Sequence, residues 1–351
     1  MTGSIVVARN SISVGGKVKR NLGWVVVGMG VLLAVASVFA IRAELQPCAW
    51  LDIALKRSGC LCILGKRGTA VESVAFSPDG RLAASSSRDG EVRVWRIGGR
   101  SLFRTLEVTS ASEKGAHSYD IAFSPNGTIL ALGLPNGTVW LWRVSDGTLV
   151  RTLEGHNGRV CSLGFSPDGR LLAVGSSSGV IQFWQVADGQ PAHELREHKG
   201  QILSVAFSPD GSLLASASLD GAIGVWQVAG GVLVHEIERA PVTTGVAFSP
   251  DGSMLATDQQ LWRVDDWIPI REMESTKGGM GNVAFSPDGK MLAAGNASYE
   301  VRWWRVADGA LLRAARGHTD SVNSVAFSPD GDMMASGSLD GTVRLWQVPE
   351  G

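Results

Sequence analysis

An all-β, seven-bladed propeller of four-stranded blades, preceded by one N-terminal transmembrane helix, is predicted by three features of this 351-residue sequence. A five-residue phrase recurs seven times at a nearly constant period, a tryptophan follows it at a fixed distance, and one charge-free stretch lies near the N-terminus. The composition agrees. Charged residues are 19% against a usual share of about 25%, hydrophobic residues are 44%, and 44 glycines indicate many tight turns rather than disorder. A formal net charge of −1 leaves no electrostatic footprint for DNA or RNA, so no nucleic-acid partner is expected. Four cysteines without a paired Cys-x-x-Cys spacing give neither a disulfide framework nor a zinc site.

Residues 1–21 carry Arg9, Lys17, Lys19 and Arg20 and no acid. Residues 22–41 (LGWVVVGMGVLLAVASVFAI) then run without a charge, and as a helix they reach about 30 Å, the thickness of a bilayer core. One membrane crossing is expected. A cleaved signal peptide is the alternative, with Val38 and Ala40 as small residues before a cut, although the apolar run exceeds the roughly 7–15 residues of a usual signal core. Arg42, Lys56 and Arg57 follow the stretch, and the small basic excess before it favours a cytoplasmic N-terminus with the remainder extracytoplasmic. The alternative is a secreted or periplasmic protein after cleavage. Residues 42–57 read as a juxtamembrane linker, and residues 58–351 as the propeller.

The phrase Phe-Ser-Pro-Asp-Gly begins at Phe76, Phe165, Phe207, Phe248, Phe285 and Phe327, with Phe-Ser-Pro-Asn-Gly at Phe123; successive intervals are 47, 42, 42, 41, 37 and 42 residues. A period near 42 marks a repeat architecture. Pro presets the first central turn position and Gly accepts positive φ, so each phrase is a hairpin turn between two apolar runs, strands a and b. Trp95, Trp142, Trp184, Trp226, Trp304 and Trp346 each lie nineteen residues beyond the Phe, at the end of a third strand opened by Asp-Gly or Asn-Gly in several units. A further turn and a half-polar fourth strand complete a blade. The fifth unit departs from this spacing: Trp262 follows Phe248 by only 14 residues. Residues 110–118 form an extended loop between the first two units.

With these features the stretch from about residue 58 onward resembles the WD-repeat β-propeller family, in a membrane-anchored, bacterial-type form. Trp-Arg or Trp-Gln replaces the family's Trp-Asp, while Gly155-His156 and Gly317-His318 keep its Gly-His. The resemblance implies a hydrogen-bonded chain inside a blade, complete at His198, Ser218, Asp220 and Trp226 and at His318, Ser338, Asp340 and Trp346. A His, Ser and Asp repeated blade by blade and ending on an indole read as structural rather than catalytic. The seventh unit lacks an outer strand of its own, so the resemblance also implies ring closure by residues 58–65, which align with the outer-strand position.

No phosphate loop, metal motif, nucleophile elbow or dinucleotide fingerprint appears, so no catalytic residue, cofactor or metal is expected. The resemblance implies a binding platform whose working face is where strand a begins and strands b and c turn. There lie Glu72, Tyr119, Cys161, Leu203, Thr244, Gly281 and Asn323, four residues before each Phe, with Arg88, Leu219 and Leu339 before the turn acid. Tyr119, Leu203, Leu219 and Leu339 offer apolar anchors for a protein or peptide partner. Cys161 also reads as a small buried hydrophobe of strand a, and His193 and His235 as solvent-facing residues of outer strands. The alternatives are a propeller enzyme or small-ligand sensor using the central channel, and a structural envelope protein.

Overall fold

The computed structural model describes residues 59–64, 68–107, 120–238, 243–258, 260–273 and 280–350, and within them the chain forms seven four-stranded antiparallel sheets. The apolar stretch 22–41, the 110–118 loop and Tyr119 lie outside the described residues. Blade one comprises Val71–Phe76, Leu82–Ser87, Glu91–Arg96 and Ser101–Glu107, in that order outward. Blades two to six begin at Ile121, Val160, Ile202, Val246 and Met280, and each runs through its own strands a to d. Blade seven draws its strands from both ends of this unit: Val322–Phe327, Met333–Ser338 and Val343–Gln347 are completed by Cys60–Leu64, which pairs antiparallel with Val343–Gln347.

Strand a of each blade touches strand a of both neighbours all round the circle, so these seven strands line the axis. The recurring phrase is what makes that possible. In blade one Ser77 Oγ donates to Asp79 Oδ1 (2.6 Å) and accepts from the Leu82 amide (2.9 Å), closing the hairpin from within. Gly80 takes φ +67°, and a Cβ added to it would meet Pro329 of blade seven at 3.4 Å. The same glycine-on-proline contact recurs at all seven hairpins, each Gly facing the Pro of the preceding blade, so the turns form a second closed ring.

Burial follows from the radial order. Strand b is sandwiched between neighbouring sheets, so Leu82–Ser87 is built of Ala and Ser and is almost wholly buried, whereas Leu149–Leu153, an outer strand, buries only its last residue. Between blades two and three, Val139, Leu141 and Leu153 pack against Val160, Leu172 and Trp184. Layers of this kind between successive sheets make up the core. Two outer-strand histidines that the sequence places in solvent are instead half-buried: His193 stacks on Phe183 (4.3 Å between centroids) and His235 on Trp267 (5.3 Å). Planar rings on a bulged outer strand find more contact on an aromatic neighbour than in water.

Blade five keeps four strands despite its short b–c connection. Asp258, buried in that connection, accepts from the Thr244 amide (2.9 Å) and the Gly245 amide (2.9 Å), tying the shortened hairpin back to the start of strand a.

Cys60, Cys62 and Leu64 each bury their side chains at the blade-seven edge, at 2%, 1% and 1% exposure. Loss of three such side chains and of an edge-covering strand removes several kcal/mol of apolar burial, at about 1.5–3 kcal/mol for a large side chain. Truncation that removes residues 1–65 is therefore expected to lower Tm by roughly 10 °C or more relative to truncation removing 1–41. Equal Tm values in a calorimetric scan would contradict this.

Candidate functional site

Because strand a begins at the axis, the residues at its start converge. Glu72, Cys161, Leu203, Thr244, Gly281 and Asn323 surround one opening of about 390 Å3 at the mouth of the central channel. Leu203 and Cys161 are half-buried there rather than enclosed, so Cys161 is a lining residue and not a core hydrophobe. On the blade-three strand it lies at the opening, its Sγ 3.3 Å from the Arg159 carbonyl oxygen. Glu72 is pinned from two sides, by an ion pair with Arg88 and by the Asn323 amide nitrogen donating to Oε2 (3.1 Å). That contact joins blades one and seven.

Leu219 and Leu339 sit on the same end of the ring but outside the opening. Their amides donate to the carbonyls of Gln201 and Ser321 (2.9 Å each), which fixes them where strand b ends against the start of strand a. Equivalent in sequence, they differ in setting: Leu219 is 51% exposed, whereas Leu339 is half-buried.

One residue further along strand a lies a feature that sequence reasoning missed. Ser73, Asp120, Ser162, Ser204, Asn282 and Ser324 also line the opening. Each of three serines accepts an amide from the next blade: Ser324 from Val74 (3.1 Å), Ser162 from Val205 (3.1 Å) and Ser204 from Val246 (3.3 Å). Asp120 does this for two neighbours at once. Its Oδ1 accepts from Ser73 Oγ of blade one (2.8 Å) and its Oδ2 from the Leu163 amide of blade three (2.8 Å). Burial pushes the Asp120 carboxyl above its ordinary value, and those hydrogen bonds only partly oppose the shift. The available signal was the single acid at a position that is Ser in four other units.

The hydrogen-bonded chains are present, but not through the expected serines. In blade four the Trp226 indole donates to Ser216 Oγ (2.8 Å), which meets His198 Nε2 (2.8 Å), while Nδ1 faces Asp220 Oδ2 (3.1 Å). In blade seven Trp346, Ser336, His318 and Asp340 repeat it at 2.7, 2.7 and 3.0 Å. Ser218 and Ser338, two residues on, instead donate to the Gly200 and Asp320 carbonyls (3.0 Å each) and accept the amides of Asp220 and Asp340. Both serines of each pair face inward on strand b, and only the earlier one lies beneath the indole. Blade three has Val174 at that place, and there His156 Nε2 takes the Trp184 N–H directly (2.8 Å) while Nδ1 donates to the Gly137 carbonyl (2.7 Å).

Burial lowers the His318 pKa, and the nearby Arg344 charge adds to that against the opposing pull of Asp340. Burial alone would raise the Asp340 carboxyl, yet hydrogen bonds from His318, Thr342 and the Thr319 amide hold it far below the usual carboxylate range. The folded protein thus keeps His318 neutral where the unfolded chain would protonate it. Between the unfolded value, about 6.5, and the lower folded value, the unfolded state binds more protons, so stability falls as pH falls through that window. Tm is expected to drop on acidification from pH 7 to 5, and His318→Gln to lower Tm at pH 7 but flatten the drop. An unchanged slope in the variant would show that His318 does not carry the linkage.

The family model "WD domain, G-beta repeat" matches residues 189–227, 267–305 and 309–347. A second, "Anaphase-promoting complex subunit 4 WD40 domain", matches 74–165 and 121–205. No curated protein matches the chain. Each match to the first model starts just before an outer strand and ends on the last residue of strand c of the next blade, the same one-strand offset by which Cys60–Leu64 completes blade seven. The matched repeats and the closed circle of seven four-stranded sheets agree: the chain carries WD40 repeats and folds as a seven-bladed β-propeller.

Proposed function

We propose that this protein is a membrane-anchored, non-catalytic scaffold that holds a protein or peptide partner over the channel mouth. WD40 propellers are typically protein-interaction scaffolds. The observation that supports this mouth as the docking place is the convergence of Leu203, Glu72 and Asn323, from three blades, on one opening whose polar groups are already oriented by Arg88 and the inter-blade bonds. An apolar residue flanked by fixed hydrogen-bonding groups suits an anchor side chain of a partner. The 22–41 stretch supplies the anchor, with the propeller on the extracytoplasmic side.

In this reading the full chain sediments with membranes and resists high salt and carbonate, and proximity labelling from the propeller marks a defined set of membrane neighbours. Leu203→Asp is expected to remove that set without altering membrane fractionation, and to leave Tm within a few degrees because the side chain is only half-buried. Leu219→Asp, outside the opening, is expected to retain the set. Release of the protein by carbonate, or labelling indifferent to Leu203→Asp but abolished by Leu219→Asp, would overturn the anchor or the docking place respectively.

A further inference from the structure

Two residues before the tryptophan of strand c, blades one to seven carry Arg93, Trp140, Gln182, Gly224, Gln260, Arg302 and Arg344. Blade four alone has no side chain there. A Cβ on Gly224 would lie 2.6 Å from Cζ2 and 2.8 Å from Nε1 of the Trp226 indole, so the ring lies against the Gly224 α-carbon and a larger residue here would require it to shift.

Blade seven shows what fills the corresponding space elsewhere. Arg344 is only 4% exposed, and a Cβ on Gly317 would meet its Nη1 at 2.6 Å and Trp346 Cη2 at 3.3 Å, so guanidinium and indole come together over that glycine. In blade six the equivalent Arg302 forks onto Glu300 through Nε (2.9 Å) and Nη2 (2.7 Å), and Arg93 of blade one pairs with Glu91. Three blades thus carry an arginine at this place, held by a carboxylate in blades one and six and beside the tryptophan in blade seven.

In blade four the place is an open cavity of about 530 Å3, floored by Gly224 and Trp226 and walled by Glu197, Lys199, Asp220, Leu233 and Glu236. Its volume falls within the roughly 300–1,000 Å3 of ordinary ligand pockets. Glu236 stands directly across from Gly224 in the c–d register and makes no ion pair among the described residues. Glu197 occupies the position of Gly317 in blade seven, one residue before the blade's histidine. Asp220 stays ionised: burial would raise its pKa, but the Ala222 and Lys199 amides and His198 more than offset that. Three carboxylates therefore face one ammonium, Lys199. The neighbouring Arg196 is turned to Glu194, at 2.6 and 2.9 Å.

We infer that this cavity receives an arginine side chain from a protein partner, its guanidinium meeting Glu236 and Glu197 and its aliphatic stem lying along the bare Gly224 backbone and Leu233. The planar guanidinium donates in a fixed fork that can serve two carboxylates at once, which an ammonium does less well. The partner's arginine takes the place that Arg344 holds in blade seven. This site is separate from the channel mouth and does not depend on it.

The test uses the full-length protein in detergent and immobilised pentapeptide pools with randomised flanks and a fixed central Arg, Lys, citrulline or Ala. Retention on the Arg pool is expected to exceed that on citrulline and Ala by at least about tenfold, with Lys between. Glu236→Lys, a change at an exposed side chain, is expected to abolish the preference at unchanged Tm, and Glu197→Lys to weaken it, whereas Leu203→Asp preserves it. Equal retention of the Arg and citrulline pools, no retention by any pool, or a preference that survives Glu236→Lys would overturn the assignment. Loss with Leu203→Asp alone would move arginine binding to the channel mouth and equally overturn it.

Discussion

A side-chain acceptor on one inner strand takes the backbone amide of the next, and the shape of the axis depends on that contact. Ser324 to Val74, Asp120 to Leu163, Ser162 to Val205 and Ser204 to Val246 are four instances, at 2.8–3.3 Å. Each neutral bond is worth only about 1 kcal/mol net, but an amide left unpaired at a buried strand edge costs about 1–3 kcal/mol. Strand a has no partner strand on its axial side. Its amides would otherwise face a narrow channel, and the serines fix both the spacing of the blades and the width of the opening. Asp120, with a carboxylate in place of a hydroxyl, holds two neighbours and places a half-buried acid beside the candidate docking mouth.

Outward from that belt, the outer parts of the blades diverge and the repeats are free to differ. Where a blade keeps Trp, Ser, His and Asp together, as in blade seven, the chain of hydrogen bonds locks strand b, strand c and the incoming loop. Blade four keeps the same chain but has Gly224 where other blades place a side chain, and a cavity opens there beside Glu236, which makes no ion pair among the described residues. Blade five shortens its hairpin and retains one buried aspartate, Asp258, that serves the amides a longer turn would leave. Departures of this kind change what a blade presents without changing the circle.

Most of the architecture was legible because each residue of Phe-Ser-Pro-Asp-Gly performs a separate local task. Ser77 and Asp79 close the turn, Gly80 supplies positive φ, and Pro329 receives the glycine of the following hairpin. Local chemistry of that sort repeats in sequence as it does in space. The inner belt was less legible, since a serine on an apolar strand carries no mark of which blade's amide it will meet. The same difficulty moved the tryptophan contact from Ser218 and Ser338 to Ser216 and Ser336: residues two apart share a face of the strand, and the choice between them is set by how far the indole reaches across strand c. Leu219 and Leu339, identical in register, part company in burial, the first 51% exposed and the second half-buried.

The belt is most directly tested by native-state hydrogen exchange at the amides of Val74, Leu163, Val205 and Val246. If these bonds set the axis, all four exchange only through global unfolding, with one common opening free energy that falls together when Asp120 is replaced by Ala. Exchange of any of them through low-energy local openings, with Asp120→Ala altering the Leu163 amide alone, would contradict the account.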